Sequence, residues 1–300
     1  MELILDEKKI RKGKPIGLPY QGSKKKISKK IVEIIKQNFG TDKTIYDIFG
    51  GGGAITAECI LGGLDVRYND LDKTITDMFC KVLASDREWI KTLIISRDEF
   101  DSLKVKVQKT VDEELKILVN SFGNNRKDYL YGKTHSDLKY DLAVEVIEKH
   151  DCFSGYKQTY TYKDEVERLK QLKQLQQLGQ MEQLGRLQQL GRLQQLGILS
   201  RVTNLIYDGF SNVKNSILYL DPPYEGAKND YKFEFDSLKF YYWASEMAKY
   251  NIVLISSYEI SDERFEEVYS FDKARSTLQG GIASKGKCEK LFMVKGSYDN

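Results

Sequence analysis

Three features of the 300-residue chain predict an α/β fold, an open and mostly parallel sheet interrupted by an inserted, mainly helical module. A strand, a glycine loop, a helix and a second strand follow one another between Thr44 and Asp70. Short apolar strand signals then return only late in the chain, at Ser216–Leu220, Ile252–Ser256 and Leu291–Val294. Between these two groups lies helical material from about Thr74 to Val119, followed by a looser segment rich in Gly, Asn and Tyr. Parallel strands need crossovers, usually helices. Sheet material at both ends with helices between therefore reads as one discontinuous Rossmann-like domain carrying an insertion.

The elements follow from periodicity and punctuation. Residues 31, 32, 34, 35 and 39 are apolar within Ser28–Phe39, a helical rhythm that Gly40 stops. Thr44–Phe49 is a β-like run entering Gly50-Gly51-Gly52-Gly53, and Ala54–Leu61 is the helix after the loop. Leu64–Tyr68 forms the next strand and ends at Asn69-Asp70. Phe240–Tyr250 is an amphipathic helix between the strands at Ser216 and Ile252.

Residues 168–199 form hexads of the type Arg-Leu-Gln-Gln-Leu-Gly, with Leu or Met181 at every third position from Leu169 to Leu199. Each step of three advances about 300° on an α-helix, so the apolar positions drift by about −60° per step. No single seam results, which disfavours a heptad coiled coil. Four hexad glycines, Gly179, Gly185, Gly191 and Gly197, each cost about 1 kcal/mol relative to Ala in a helix. The stretch reads as a helical or partly disordered insertion with nothing catalytic in it.

Composition excludes several classes. With 41% hydrophobic and 30% charged residues the chain has the make-up of a globular protein, and no apolar run reaches membrane-span length. The N-terminus lacks a signal-peptide layout. Cys59, Cys80, Cys152 and Cys288 are scattered, so neither a disulfide framework nor a zinc site is indicated. The net charge of +3 conceals 10 Lys/Arg against 3 acids in residues 1–30, leaving 37 basic and 41 acidic residues elsewhere. Such a basic segment is either an electrostatic footprint for phosphates or a solvated helix start.

Two motifs carry chemistry. A glycine loop after a first strand lets a ligand approach the backbone, and Asp70, 20 residues past Gly50 at the next strand end, can receive ribose hydroxyls. The dinucleotide pattern Gly-x-Gly-x-x-Gly is met only in its first two glycines, because position 55 is Ile. The second motif is Asp221-Pro222-Pro223-Tyr224, at the end of the Ser216–Leu220 strand. Two prolines stiffen the turn and remove two backbone donors, leaving carbonyls free to accept. A carboxylate, a free carbonyl and an aromatic face suit a planar ring with an exocyclic amino group. A plain surface turn is the alternative.

Asp-Pro-Pro-Tyr resembles the signature of the amino-group DNA methyltransferases, and other positions narrow the resemblance to the Dam-like adenine-N6 methylases often carried by bacteriophages. These are Phe49-Gly50-Gly51-Gly52-Gly53, which is similar to the S-adenosylmethionine loop, and Pro19-Tyr20-Gln21-Gly22-Ser23-Lys24, similar to the N-terminal aromatic-x-Gly-Ser-Lys motif. The resemblance implies a Rossmann-like, S-adenosyl-L-methionine-dependent methyltransferase that releases S-adenosyl-L-homocysteine and needs no metal. It assigns Asp221, Pro222, Pro223 and Tyr224 to catalysis. Tyr20, Lys24, Asp47, Phe49, Gly51, Gly53, Asp70, Asp208 and Asp221 are the expected cofactor residues. Lys24 would offer its cation to the methionine carboxylate or a DNA phosphate.

The same resemblance puts target reading between these motifs, where Asn124, Asn125, Arg126, Lys127 and Lys133 are the candidate DNA contacts. The expected layout is a catalytic domain of residues 1–85 and 200–300, a target-recognition module of 86–167 and the repeat insertion of 168–199. Partners and setting follow as double-stranded DNA, no membrane, a cognate restriction endonuclease or none, a monomer or weak dimer, and the cytoplasm of a prokaryotic host. A cytosine-N4 methyltransferase and a non-catalytic interaction protein built on the repeat stay open as rivals.

Overall fold

The computed structural model describes residues 2–20, 22–160, 162–164, 167, 181–197, 199, 201–225, 235–271 and 288–297. Two compact units are present: Met1–Pro15, Lys24–Thr76 and Ser200–Asn300 in the first, Ile16–Ser23 and Asp77–Leu199 in the second. The sheet unit is thus discontinuous in sequence, with boundaries at Pro15/Ile16, Ser23/Lys24, Thr76/Asp77 and Leu199/Ser200.

The first unit is built on a seven-stranded sheet of order β3-β2-β1-β4-β5-β7-β6. Its strands are β1 (Ile45–Asp47), β2 (Val66–Asn69), β3 (Val202–Thr203), β4 (Ile217–Leu220), β5 (Ile252–Ser257), β6 (Phe265–Ser270) and β7 (Lys290–Val294). β1 to β5 pair in parallel, while β7 is antiparallel to both β5 and β6. The chain runs outward through β1, β2 and β3, then returns to the centre with β4 beside β1 and continues to β5. The carboxyl ends of β1 and β4 therefore flank the point where strand order reverses, where open α/β sheets bind ligands.

Alternation along the strands buries both faces. Ile45, Ile217, Tyr219 and Leu254 face α1 (Ser28–Phe39) and α2 (Ala54–Leu61) through Ile31, Ile34, Ile35, Ile55 and Cys59. Tyr46, Leu218, Leu220, Val253 and Ile255 face the helix Ser237–Met247, which contributes Phe240, Tyr241, Trp243 and Met247. Strands β3 and β6 went unforeseen in the sequence. β3 is two residues long, and β6 is an edge strand with only Phe265 and Val268 buried, Glu266 and Glu267 between them and a register shift after Glu267.

α3 (Lys73–Ala84) crosses the boundary between the units, and the second unit continues with α4 (Arg87–Lys91), α5 (Arg97–Lys104), α6 (Val111–Asn120), α7 (Ser136–Lys149) and α8 (Glu182–Gln194). Thr110 and Glu113 form a capping box at the start of α6. Helix α7 lies in the segment read from sequence as loose. Its apolar residues, such as Leu138, Tyr140, Val144 and Ile147, are spread around the helix, so no amphipathic rhythm announced it.

The repeat is helical over its described residues, one of the two states expected for it. Residues 168–180 lie outside the described residues, but 182–194 form α8, which packs against α4 and α6 as part of the second unit's core. Leu184, Leu187, Leu190 and Leu193 are all fully buried. The drift of about −60° per step is real, yet over four leucines it sweeps only about half the helix circumference. A helix enclosed on that many sides needs no single seam. Gly191 has a packing reason, since a Cβ there would lie 2.6 Å from the Phe153 ring, while Gly185 faces open space.

Buried polar groups fasten α8 in place. The Gln183 amide donates to Asn120 Oδ1 at 2.7 Å and to the Tyr129 hydroxyl at 3.2 Å, and the Asn120 amide donates to the Leu93 and Lys116 carbonyls. Arg186 Nη1 donates to the Val119 and Ser121 carbonyls at 2.7 and 2.8 Å. It thereby satisfies acceptors that the end of α6 leaves without intrahelical partners.

Candidate active site

The loop after β1 is shaped by close approach. Gly50 lies flat on Tyr68, where an added Cβ would come within 2.3 Å of the ring. Gly51 and Gly53 turn the chain with φ of 48° and 70°, a region costly for residues with a Cβ. Tyr68 donates its hydroxyl to the Gly51 carbonyl at 2.8 Å. Asp70 Oδ2 accepts the Gly51 amide at 2.8 Å, and Oδ1 accepts the Asp72 amide at 2.8 Å. A carboxylate has about four lone-pair sites, so Asp70 keeps acceptor capacity toward a diol. Burial raises its pKa, against the two amides that lower it.

Asp47, at the end of β1, is fully buried and its Oδ2 accepts both the amide and the hydroxyl of Thr56, at 3.1 and 2.7 Å. It ties the strand end to the first turn of α2, across the glycine loop. Burial pushes its pKa up to about 7, against the lowering by the Thr56 bonds. Phe49 borders an aromatic group, with Tyr207 stacked at 6.5 Å and Phe235 and Phe240 edge-on at 6.2 and 5.7 Å. Asp208 follows Tyr207, is 40% exposed, and lies 3.7 Å from the Lys239 ammonium.

The turn after β4 holds a charged cluster. Lys24 Nζ donates to Asp221 Oδ1 at 2.6 Å and to the Tyr224 hydroxyl at 2.7 Å, and lies 5.0 Å above the Tyr224 ring. Tyr224 donates to Glu289 Oε2 at 3.0 Å, and Ser256 donates to Glu289 Oε1 at 2.8 Å. Lys24 is 3.7 Å from Glu289. Burial would lower the Lys24 pKa, but Asp221 and Glu289 overcome it and the ammonium titrates above its ordinary value. Burial pushes the Asp221 carboxyl up to about 6, even with Lys24 holding it down. At neutral pH the pair is ionised.

Among the described residues, no donor reaches Asp221 Oδ2 or the Pro222 carbonyl. The turn thus presents two acceptors beside the ring of Tyr224, which leans on Tyr258 with centroids 4.4 Å apart.

Of the residues expected from sequence, the first unit brings Lys24, Asp47, Phe49, Gly51, Gly53, Asp70 and Asp221–Tyr224 to one sheet edge, the carboxyl ends of β1, β2 and β4. Asp208 is on the same unit, at the surface. Lys24, read as a cation free for a ligand, has its ammonium on Asp221 instead, because a buried charge needs an opposite one. Arg11 likewise is spent internally, on Glu58 at 2.9 Å, as are Lys29 on the Gly13 carbonyl and Lys30 on Glu7. The basic segment is therefore only partly available to phosphates. Glu289, Ser256 and Tyr258 were not foreseen. Glu289 carries no motif, and only the antiparallel pairing of β7 with β5 brings it to this edge.

In the second unit lie Tyr20 and the loop candidates. Asn124 and Arg126 both adopt φ of 59°. Asn125 spends its side chain on the loop, accepting from the Lys127 and Asp128 amides and donating to Asp128 Oδ2. Arg126 is half-buried, 3.4 Å from Glu114. Lys127 and Lys133 are exposed, as is Phe122.

A family model for D12 class N6 adenine-specific DNA methyltransferases matches residues 20–274. No curated protein sequence matches the chain. Among solved structures, the rRNA methyltransferase aviRa from Streptomyces viridochromogenes aligns over 90% of this chain and 85% of its own, at 10% identity and a TM-score of 0.34.

Proposed function

This chain belongs to the D12 class of N6 adenine-specific DNA methyltransferases, and from that premise we propose which of its residues carry the reaction and how. The substrate is DNA and the methyl donor S-adenosyl-L-methionine. Family membership selects adenine N6 over cytosine N4 and over a non-catalytic role. When bound, S-adenosyl-L-methionine would supply an electrophilic methyl group, leaving as S-adenosyl-L-homocysteine, and N6 would give up one proton to solvent.

Asp221 Oδ2 and the Pro222 carbonyl accept the two N–H bonds of the adenine amino group. This draws the nitrogen toward a tetrahedral shape with its lone pair exposed, an orientation effect of the kind that can supply much of the rate. Pro223 fixes the turn, and Tyr224 stacks on the extruded base, returning about 1–3 kcal/mol of the few kcal/mol that unstacking costs. The observation that carries this reading is the pair of unpartnered acceptors at the β1/β4 switch point.

The cofactor fits the adjoining loop by the chemistry of its donor set. Asp70 retains lone pairs for the ribose hydroxyls, the glycine turn puts no side chain between backbone and ligand, and Phe49 supplies an apolar wall. Asp47 and Lys24 act by shaping the loop and the turn, and Asp208 at the adenine end. Lys127 and Lys133 suit phosphates, while Asn124, Asn125 and Arg126 shape the reading loop or contact bases. Double-stranded DNA as the substrate form fits the need to extrude a base. A prokaryotic, phage-borne enzyme working as a monomer or weak dimer in the cytoplasm, with or without a partner endonuclease, completes the reading. None of the described helices is long and apolar enough to cross a membrane.

Incubation of unmethylated DNA with labelled cofactor, followed by mass analysis of nucleosides, tests the whole. N6-methyladenine from the native protein and none from Asp221→Ala is the expected result. Equal methylation by both would remove Asp221 from the mechanism.

A further inference from the structure

The charges at the turn do not balance. Lys24 and Asp221 alone form a neutral pair at 2.6 Å, and a neutral pair offers little net field to a reacting nitrogen that is becoming positive. Glu289 changes the sum. Its carboxylate is 3.7 Å from the same ammonium and is 12% exposed, so one cation is shared by two anions and the cluster carries a net charge of −1. Glu289 lies beyond the family-matched residues 20–274 and entered neither the motifs nor the assigned roles.

We propose that Glu289 is a positioning residue for methyl transfer, setting the net negative charge and acceptor strength of the Asp221 turn through Lys24 and Tyr224. This rests on the reading of Asp221 as the amino-group acceptor. The topology explains the placement. β7 runs antiparallel to β5, with Ser256 opposite Leu291 and Ser257 opposite Lys290, so the start of β7 meets the carboxyl end of the parallel strands. Two hydroxyls hold the carboxylate in place, Ser256 on Oε1 and Tyr224 on Oε2.

Two consequences follow for the turn. By attracting the ammonium, Glu289 weakens the grip of Lys24 on Asp221 Oδ1, and the carboxylate left behind accepts an N–H more strongly. By taking the Tyr224 hydroxyl proton into a bond, it also fixes the plane on which the base stacks. Charge that is already in place costs no reorganisation when positive charge gathers on N6. The titratable and charged groups facing Asp221 are Lys24, Glu289, Tyr219, Tyr224 and the buried Asp47 at the end of β1, with Tyr258 behind Tyr224. Glu289 is among the influences that raise the Asp221 pKa.

The isosteric change Glu289→Gln removes the charge and keeps two hydrogen bonds, because the amide oxygen can still accept from the Tyr224 hydroxyl while the amide NH2 donates to a Ser256 hydroxyl turned to accept. The expected loss in kcat is roughly 10- to 100-fold, below the 10²–10³ that a contacting donor costs, with cofactor KM unchanged. Glu289→Ala should be no worse than about threefold beyond Gln if charge is the larger part.

Titration of the Asp221 carboxyl by carbon NMR, in the protein without cofactor, supplies a readout independent of turnover. Its midpoint, about 6 in the native chain, should move down in Glu289→Gln. A Gln variant with native kcat and an unmoved Asp221 midpoint would overturn the proposal. So would a Gln variant with native kcat beside an impaired Ala variant, which would leave Glu289 a hydrogen-bond brace. If Asp221→Ala itself remained active, the underlying reading would fail instead, and the NMR midpoint would still report whether the two carboxylates share Lys24.

Discussion

Two buried polar clusters, one in each unit, do opposite work. Around Gln183 in the second unit, amides, phenols and carbonyls bind one another, and the groups bonded to the Gln183 side chain are neutral. Around Asp221 in the first unit, one ammonium serves two carboxylates, and pKa values are displaced by burial and by charge. A neutral network whose donors are used up inside the fold is a brace, since removing a member mainly exposes a desolvation cost. A charged cluster that leaves acceptors unused at a sheet edge is stabilised further by a ligand that brings donors. The difference separates structural from reactive polarity more cleanly than burial does, since both clusters are buried.

The largest test of that contrast is Asp221→Ala. Transfer of labelled methyl to DNA should fall by at least about 10³-fold, the scale of losing both orientation and placed charge, while cofactor binding measured by equilibrium dialysis stays near native. A matching loss of cofactor binding would mean that Asp221 holds the fold of the site, not the base.

Asp47 offers the next effect, on stability. Its pKa of about 7 in the fold exceeds the ordinary 3.8, so the folded state binds the proton more tightly than the unfolded chain. The contribution is fully present below about pH 4 and is lost as pH rises through about 7, an effect on the order of a few kcal/mol. Asp47→Asn should flatten the pH dependence of the urea midpoint across that window. An unchanged slope would place the titrating group elsewhere.

Smaller effects come from the brace. Gly191→Ala drives a methyl into the Phe153 ring and should cost about 1–3 kcal/mol by overpacking. Gly185→Ala, in the same repeat frame but facing open space, should be neutral or stabilising by up to about 1 kcal/mol. Equal responses of the two in urea unfolding would mean that α8 does not sit in the second unit's core as described.

Much of the sheet was legible from sequence because strong local signals coincide with buried elements. The glycine loop, the β4 run into Asp221-Pro222-Pro223-Tyr224 and the helix Ser28–Phe39 each announce themselves within about a dozen residues, and the sheet edge then brings their ends together. What stayed hidden depends on pairing across distance. β3 is too short to show a period. Glu289 matters only because an antiparallel strand returns to the edge, and the Lys24 ammonium finds its anion almost two hundred residues away in sequence. The burial of the repeat, though not its helical state, was hidden for a different reason. A period of three argues against a seam, but the argument assumes a helix buried on one side, and α8 is enclosed on several.

The proposed seat of methyl transfer is the edge where the loop after β1 meets the turn after β4. A crystal structure with S-adenosyl-L-homocysteine tests it most directly. The ribose should lie on Asp70 and the sulfur should face Asp221 and the Pro222 carbonyl, with room between them for one exocyclic nitrogen. A product molecule seated elsewhere, with its sulfur turned from Asp221, would contradict the account.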